Sequence, residues 1–273
     1  MKATVLTRAT LFITFLLSVF PIYWMFVIAT RSNDVVGMVP PPLLPGGNLG
    51  DNLQRLFAAE DANFSKGLLN SAIVATTVTL SVVVLSSLAG FAFAKLRFRG
   101  RDGLLLVVLL TMMVPLQQMG IIPLYIMMVK LGWAGEIKAV ILPFLVNGFG
   151  VFLMRQYAVQ AVPDELIEAA RVDGCSTLRI YWSVVLPALR PAIAVLALFT
   201  FMQTWNEFIW PLAVLTPSNP TVQLSISALN GAHFQDYTLV FTGTALATVP
   251  LIVIFVVFGR QIIGGIMEGA VKA

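Results

Sequence analysis

The sequence predicts an all-α integral membrane protein with six transmembrane helices, and three observations support this prediction. Apolar residues make up 58% of the 273-residue chain and charged residues only 11%. The mean hydropathy is +0.90, and soluble domains carry roughly 25% charged residues. Six stretches contain no charged residue, and most approach or exceed the roughly 20 residues that a helix needs to cross a bilayer. They are residues 9–30, 67–94, 103–129, 139–154, 191–206 and 237–259.

The bounds of the six helices follow from these stretches. The two shortest stretches are extended to include neighbouring charged or polar residues, whose long side chains can reach the membrane surface. The predicted helices lie at about 9–30, 67–94, 103–129, 138–155, 191–215 and 237–259. The first resembles a signal peptide in position, but it is long for that role and Ile28–Arg31 is a poor cleavage site. An uncleaved anchor is therefore predicted.

Basic residues predict the orientation. With the N-terminus in the cytoplasm, the cytoplasmic segments hold 12 of the 17 lysine and arginine residues, and the outer segments hold five. Membrane proteins usually carry such an excess on the cytoplasmic side. The sequence therefore predicts a multi-pass protein of the cell membrane with both termini in the cytoplasm. The net charge of +4 follows from this bias and needs no nucleic-acid partner.

The segment between the fourth and fifth helices is the most informative part of the chain. From Arg155 to Arg190 it holds four basic and four acidic residues, so it cannot lie in lipid. Pro163 and Asp164 favour the start of a short helix, and Gly174 can end that helix in a left-handed backbone conformation. A second short helix is then predicted. Its features are a cap at Ser176, an end at Pro187 and an apolar stripe of Leu178, Tyr181, Val184 and Val185.

The spacing within this segment resembles the EAA loop of ABC-importer permeases. Glu168-Ala169-Ala170 is followed after three residues by Gly174, and Leu186-Pro187 follows at the spacing of that family. The departures are Val184 where isoleucine is usual and Cys175 where alanine is common. Other segments are similar to the carbohydrate-uptake branch, close to the second permease of maltose-type importers. They are Leu69–Ser71, Ala92–Phe98, Ile122–Tyr125, Trp205–Phe208 and Gly264–Lys272.

The resemblance implies the fold of a type I ABC importer transmembrane domain. It divides the chain into an anchor helix with an outer loop (1–66), an ABC transmembrane type-1 domain (67–263) and a cytoplasmic tail (264–273). Residues 156–190 would dock on a cytoplasmic ATPase and move as ATP closes the ATPase dimer; the alternative is an ordinary solvated loop. The residues carried over to this coupling role are Glu168, Ala169, Ala170, Asp173, Gly174, Tyr181, Leu186 and Pro187.

The resemblance implies partner proteins, and the first of these is an ATPase. The chain contains no Gly-Lys dipeptide, so it has no phosphate-binding loop of the G-x-x-x-x-G-K-[ST] type. ATP and magnesium are therefore expected on separate ATPase subunits, and no cofactor, metal or catalytic residue is expected in this chain. Because the ATPase works as a dimer, a second permease is implied, and the resemblance favours a non-identical one. An extracytoplasmic solute-binding protein and a sugar complete the expected assembly.

Polar and aromatic residues within the predicted helices are candidates for a sugar path, because amides, carboxylates and aromatic faces suit hydroxyl-rich solutes. The candidates are Gln117, Gln118, Asn147, Gln203, Trp205, Asn206 and Glu207. Glu207 is about 16 residues beyond Pro191, roughly 24 Å along a helix, so it is expected in the outer half of the membrane. Hydrogen bonding between helices, or exposure at the membrane surface, is the alternative role for these side chains.

An outer loop is predicted at residues 216–236. By resemblance it contacts the solute-binding protein, with Asn219, Asn230 and His233 as the candidate contacts. From the residues alone it is only a polar loop. The sole histidine is more typical of a surface position than of a ligand, and one histidine does not make a metal site.

The expected function is import of a mono-, di- or oligosaccharide. The main alternative is an ABC importer for an amino acid, glycerol phosphate or another small polar solute, since such importers share the loop. An intramembrane protease would need a nucleophile and a base that the motifs do not provide. A channel or proton-coupled transporter would need more ionisable groups in its helices than Glu207.

Overall fold

A computed structural model describes residues 5–113, 120–230 and 236–270, with side chains up to residue 259. In these ranges the regular structure is helical, with 3-10 segments at Asn33–Val35 and Leu142–Phe144 and a π segment at Tyr181–Val185. The α-helices are α1 (Val5–Ala29), α2 (Leu49–Ala58), α3 (Phe64–Lys95), α4 (Arg101–Met113), α5 (Ile121–Lys130), α6 (Lys138–Ile141), α7 (Gly148–Ala161), α8 (Asp164–Val172), α9 (Thr177–Ile180), α10 (Leu186–Ala188), α11 (Arg190–Trp205), α12 (Ile209–Val214), α13 (Val222–Ala228) and α14 (Tyr237–Ala270).

Three of the helices in these ranges are long and apolar enough to cross a membrane: α1, α3 and the Tyr237–Gly259 part of α14. Two bent pairs raise the number to five if each pair is one span. Lys138–Phe144 meets Gly148–Ala161 at a bend of 40°, and Thr177–Ala188 meets Arg190–Trp205 at a bend of 77°. The predicted third helix is represented by α4 and α5, on either side of residues 114–119, which lie outside the described ranges. Six spans stay a prediction.

The predicted fourth helix, 138–155, differs from the structure at two points. It is interrupted around residues 142–147, and α7 then continues to Ala161, so the first residues of the predicted loop 156–190 are helical. Pro143 has no N–H to donate to the preceding turn. Asn147 starts a new helix there, because its side-chain oxygen accepts a hydrogen bond from the Gly150 N–H at 2.6 Å.

The predicted fifth helix is interrupted, and the sixth is longer than its predicted span. The fifth, 191–215, is broken at residues 206–208 into α11 and α12. Pro211 lies in the first turn of α12 and has no backbone N–H to donate to the residues of the break. In the sixth, the apolar span is Tyr237–Gly259, as predicted, and α14 runs on past it to Ala270 through most of the predicted tail.

The chain forms two compact units, and the first comprises Met1–Leu68 and Pro220–Pro250. Here the buried Asn52 of α2 donates its side-chain amide to the backbone oxygens of Ala29 at 3.0 Å and Arg31 at 2.8 Å. Leu56 is buried on the same face of the helix. These two buried residues give α2 one face that packs inside the unit, in a segment predicted as an outer loop.

Asp236 caps the N-terminus of α14 within this first unit. One carboxylate oxygen accepts from the Thr238 hydroxyl at 2.6 Å and from the N–H groups of Thr238 and Leu239. The other pairs with the guanidinium of Arg55. Burial acts to raise the pKa of this carboxyl, but the hydrogen bonds from Thr238 and Arg55 outweigh burial, so the pKa of Asp236 lies below its usual value.

Acid is expected to weaken the first unit through Asp236. Because its pKa is lowered by folding, the ionised carboxylate stabilises the fold above the unfolded pKa of roughly 4, and this stabilisation is lost as the pH falls through the folded value. Losing a helix cap costs about 1 kcal/mol. We expect the melting temperature of the chain in nanodiscs to fall as the pH drops below about 5, and Asp236→Asn to lose part of this dependence. An unchanged acid sensitivity in Asp236→Asn would contradict the assignment.

The second unit, Leu69–Asn219 and Leu251–Ala273, contains the charged segment. Its helices α3 and α7 cross closely. A Cβ on Gly90 of α3 would lie 2.5 Å from the Met154 Cβ, and one on Gly150 of α7 would lie 2.5 Å from the Ser86 Oγ. Small residues permit such approach between membrane helices. Core residues around this crossing include Val78, Val82, Phe91, Met154, Ala158, Ile167, Tyr181, Val185 and Leu189.

Candidate functional site

The coupling segment, which we define as residues 163–189, begins as predicted. Pro163 precedes α8, and Asp164 and Glu165 occupy its first turn, where the helix dipole favours carboxylates. Gly174 follows the helix with φ +74°, the left-handed conformation predicted for it. A Cβ on Gly174 would meet nothing within 4 Å, so the requirement for glycine comes from the backbone conformation and not from space.

The second half of the coupling segment begins as predicted and ends within one residue of the predicted position. The Ser176 Oγ accepts from the Arg179 N–H at 3.4 Å and caps α9. Helical structure then continues through the π segment and α10 to Ala188, one residue beyond the predicted end at Pro187. Pro187 lies in the first turn of α10, where a missing N–H is tolerated. The sharp bend follows at Leu189, before α11.

The buried face of this second half contains most of the predicted stripe. Tyr181 and Val185 are buried, Val184 packs against the core, and Ile180, which was not predicted, is also buried. Leu178 is the exception, since it is 65% exposed. Trp182 is 60% exposed as well. The exposed large apolar residues of the coupling segment, which we call the docking face, are Leu166, Val172, Leu178 and Trp182.

The residues predicted to couple occupy three environments. Tyr181 is buried, and Ile167, which the motif did not identify, is the buried anchor of α8. Partly buried against the core are Ala170 and Leu186. The exposed members are Glu168, Ala169, Asp173, Gly174 and Pro187. The EAA positions therefore lie on a helix that is fixed to the core by one side and open on the other.

The path candidates lie at the two helix interruptions. Asn147 uses its side-chain oxygen to cap α7. Trp205 is buried and stacks on Phe201, with ring centroids 5.5 Å apart. Asn206 is exposed and donates its side-chain amide to the Met202 carbonyl oxygen at 2.8 Å. Gln203 is also exposed, and Gln117 and Gln118 lie outside the described residues.

Trp210 connects these two interruptions. Its indole N–H donates to the backbone oxygen of Ala139 in α6 at 3.1 Å. Its ring meets Phe144 edge-on, with centroids 6.3 Å apart. The break in the predicted fourth helix and the break in the predicted fifth helix therefore lie beside each other within the second unit.

Glu207 has a structural role that can be separated from a role in the path. Its Oε1 accepts from the Trp210 N–H at 3.2 Å, at the start of α12. We expect Glu207→Gln to fold normally because an amide oxygen can accept the same bond, and Glu207→Ala to lose about 1 kcal/mol of stability. Thermal unfolding of both variants measures this difference. A Gln variant that folds but no longer takes up solute would show that the negative charge itself is used.

The predicted outer loop 216–236 contains a helix, α13, which corrects the prediction of a loop. Its buried Val222 and Ser225 explain the helix, since they give it a face to pack. The Asn219 side chain accepts from the Asn70 amide at 3.1 Å and donates to the Gly135 oxygen at 2.9 Å. Both the oxygen and the nitrogen of its amide are therefore hydrogen-bonded within the chain. Asn230 is exposed, and His233 lies outside the described residues.

Sequence reasoning missed two residues of α3 that contact the coupling segment. Ser87 lies 2.7 Å from the Tyr181 hydroxyl, and Lys95 donates to Asp164 at 2.7 Å. The only feature of the sequence that relates these two residues is their spacing of eight, which places them on one face of the helix. This spacing does not indicate which part of the chain that face contacts.

These features define a multi-pass helical membrane protein that carries a charged two-helix element packed against its core. The chain belongs to the family of binding-protein-dependent transport system inner membrane components, whose profile matches residues 83–266. Both the family suggested by the EAA spacing and the all-helical fold class are thereby confirmed.

Relatives and a solved structure agree with this assignment. The lactose transport system permease protein LacG of Rhizobium radiobacter is 35% identical over 94% of this chain and 92% of its own length. The arabinooligosaccharides transport system permease protein AraQ of Halalkalibacterium halodurans is 34% identical over 74% and 72%. The sn-glycerol-3-phosphate transport system permease protein UgpE of Escherichia coli K12 is 29% identical over 97% and 96%.

The solved structure shares the fold. It is a crystal structure of a bacterial ABC transporter involved in the import of the acidic polysaccharide alginate. The superposition has a TM-score of 0.80 at 22% identity and covers 94% of this chain and 95% of the other.

Proposed function

We propose that this chain is the permease subunit of an ATP-driven, binding-protein-dependent importer for a sugar. It forms half of the translocation path and receives energy from a separate ATPase. The observation that carries the proposal is the coupling segment, a charged two-helix element fixed to the core with an exposed apolar face, in a chain of a transport family. The relatives named for lactose and arabinooligosaccharides support a sugar as the solute.

An importer for an anionic solute is the alternative, and the relative named for sn-glycerol-3-phosphate supports it. The chemistry of the path candidates favours the sugar. They are amides, an indole and the carboxylate of Glu207, and none is basic. A carboxylate repels a phosphate group at close range, whereas amides and aromatic faces suit a neutral, hydroxyl-rich solute.

The assembly that we propose has three further components. A dimer of cytoplasmic ABC ATPase subunits binds ATP and magnesium, and an extracytoplasmic solute-binding protein delivers the sugar. A second, non-identical permease completes the path. Both termini and the coupling segment of this chain face the cytoplasm, in keeping with the distribution of its lysine and arginine residues.

The helix interruptions are the proposed solute path. Interrupted membrane helices leave backbone groups at membrane depth that need polar partners, and such places often line solute sites. The proposed path residues are Gln117, Gln118, Asn147, Trp205, Asn206 and Glu207. The proposed contacts of the binding protein are Asn219, Asn230 and His233. Because the Asn219 amide is occupied by Asn70 and Gly135, its contact would use the exposed backbone of Thr216–Ser218 beside it.

The test is reconstituted transport. The binding protein encoded with this chain would be titrated by calorimetry against mono-, di- and oligosaccharides and against sn-glycerol 3-phosphate. The ligand that binds would then be followed into proteoliposomes that contain both permeases and the ATPase. Uptake of a sugar that requires ATP and the binding protein is expected. Uptake of glycerol phosphate without any sugar would select the alternative.

A further inference from the structure

One face of α3 contacts both halves of the coupling segment. Ser87, Phe91 and Lys95 are spaced by four residues and therefore lie on the same side of the helix. The Ser87 hydroxyl is 2.7 Å from that of Tyr181, and the rings of Phe91 and Tyr181 have centroids 5.9 Å apart. At the end of α3, the Lys95 ammonium donates to the Asp164 carboxylate at 2.7 Å. The first half is thus held through Asp164 and the second half through Tyr181.

The Ser87–Tyr181 contact is buried, whereas the Lys95–Asp164 pair is buried on the lysine side only. Ser87 and Tyr181 are buried. The side chain of Lys95 is only 7% exposed, although that of Asp164 is 77% exposed. A nearly buried ammonium depends on its partner, because an unpaired charge in such a position is costly. The hydrogen bond and the charge of Lys95 also hold the pKa of Asp164 below its usual value.

The chain on either side of the coupling segment is extended or bent, whereas α3, which contacts the segment, is a continuous helix. Before the segment, Val162 is extended with φ −119° and ψ 99°, which separates α7 from α8. After it, the helical axis bends by 77° into α11. In contrast, α3 is 32 residues long without a break, which is about 48 Å at 1.5 Å per residue. This length exceeds the roughly 30 Å hydrocarbon core of a bilayer.

We propose that α3 carries movements of the coupling segment into the membrane, with Lys95 and Tyr181 as positioning residues. The inference rests on the proposed function, since it takes the coupling segment to be moved by an ATPase. The Lys95–Asp164 pair fixes the first half to α3, and the Ser87–Tyr181 hydrogen bond fixes the second. Loss of either contact lets one half of the segment follow the ATPase without displacing α3. Less solute is then imported for each ATP hydrolysed.

The experiment measures solute uptake and ATP hydrolysis together in proteoliposomes that contain the complete complex. The variants are Lys95→Met, Asp164→Asn, their combination, and Tyr181→Phe, which keeps the ring against Phe91 but removes the hydroxyl. Arg99→Met is the matched control. Arg99 lies four residues beyond Lys95 on an exposed turn and takes part in none of the ion pairs found within the described ranges.

We expect the solute imported per ATP to fall by roughly threefold or more in Lys95→Met, Asp164→Asn and Tyr181→Phe, with the same amount of co-purified ATPase. Because the ion pair acts as a unit, the double variant should import no less than Asp164→Asn alone, and Asp164→Glu should retain most of the uptake. Wild-type ratios in all three single variants would overturn the inference. The inference would also be overturned if the loss in the double variant equalled the product of the losses in Lys95→Met and Asp164→Asn. Absence of uptake in the wild-type complex would instead overturn the proposed function, and this inference with it.

Discussion

Replacing Gly174 by proline is expected to reduce solute uptake by roughly a factor of ten or more while leaving the chain in the membrane. Proline fixes φ near about −65°, whereas Gly174 has φ +74°. The substitution also removes the N–H that donates to the Arg171 oxygen at 3.0 Å. Helices α8 and α9 would then meet at a different angle. Few molecules would hold the two helices in the relative orientation that the ATPase binds. Uptake into proteoliposomes and the amount of variant in the membrane fraction measure the two effects.

Gly100 provides the matched control for this position. It has φ +84°, and a Cβ placed on it would meet nothing within 4 Å, as at Gly174. An alanine costs about 1 to 2 kcal/mol of backbone strain at either glycine. We expect Gly174→Ala to lower uptake and Gly100→Ala to leave it unchanged. Equal losses in the two alanine variants, or normal uptake in Gly174→Pro, would count against a coupling role.

A glutamate at Leu178 or at Trp182 is expected to prevent the ATPase from co-purifying with the permease. Both side chains are more than half exposed on the docking face. An apolar residue at the centre of an interface can contribute about 2 kcal/mol or more, and a carboxylate buried there without a partner adds an unfavourable desolvation. Together these effects correspond to an affinity loss of roughly thirtyfold or more. Pull-down of the ATPase by the purified permease in detergent measures it.

Leu49→Glu is the control for the docking face. Leu49 is also an exposed leucine, but it begins α2 in the first unit, and a carboxylate in the first turn of a helix is favoured. Its segment is predicted to lie outside the cell. ATPase binding should therefore be unchanged in this variant. If Leu49→Glu weakened binding as much as Leu178→Glu, the loss would reflect general damage and the docking face would be misassigned.

Hydropathy predicted where the long helices run because it reports the length of uncharged chain directly. The Phe64–Lys95 and Tyr237–Gly259 helices follow the predicted stretches closely. It did not predict the interruptions near Asn147 and Glu207. Each combines a proline, Pro143 or Pro211, with a side-chain hydrogen bond to a backbone N–H group, and an average over 20 residues registers neither.

Local chemistry predicted the turn of the coupling segment better than its attachment. The roles of Pro163, Gly174 and Ser176 follow from preferences that act within a few residues, so the sequence was sufficient. The contacts of Lys95 with Asp164 and of Ser87 with Tyr181 join residues 69 and 94 positions apart. One sequence does not indicate which helix packs beside the segment. Of the predicted apolar stripe, only Leu178 is exposed.

The indole of Trp210 joins the two helix breaks. It connects α12 to the backbone of α6 and to the ring of Phe144, so a displacement of either short helix is passed on to the other. The two breaks are therefore coupled at one side chain, although Ala139 and Trp210 lie 71 residues apart in the sequence.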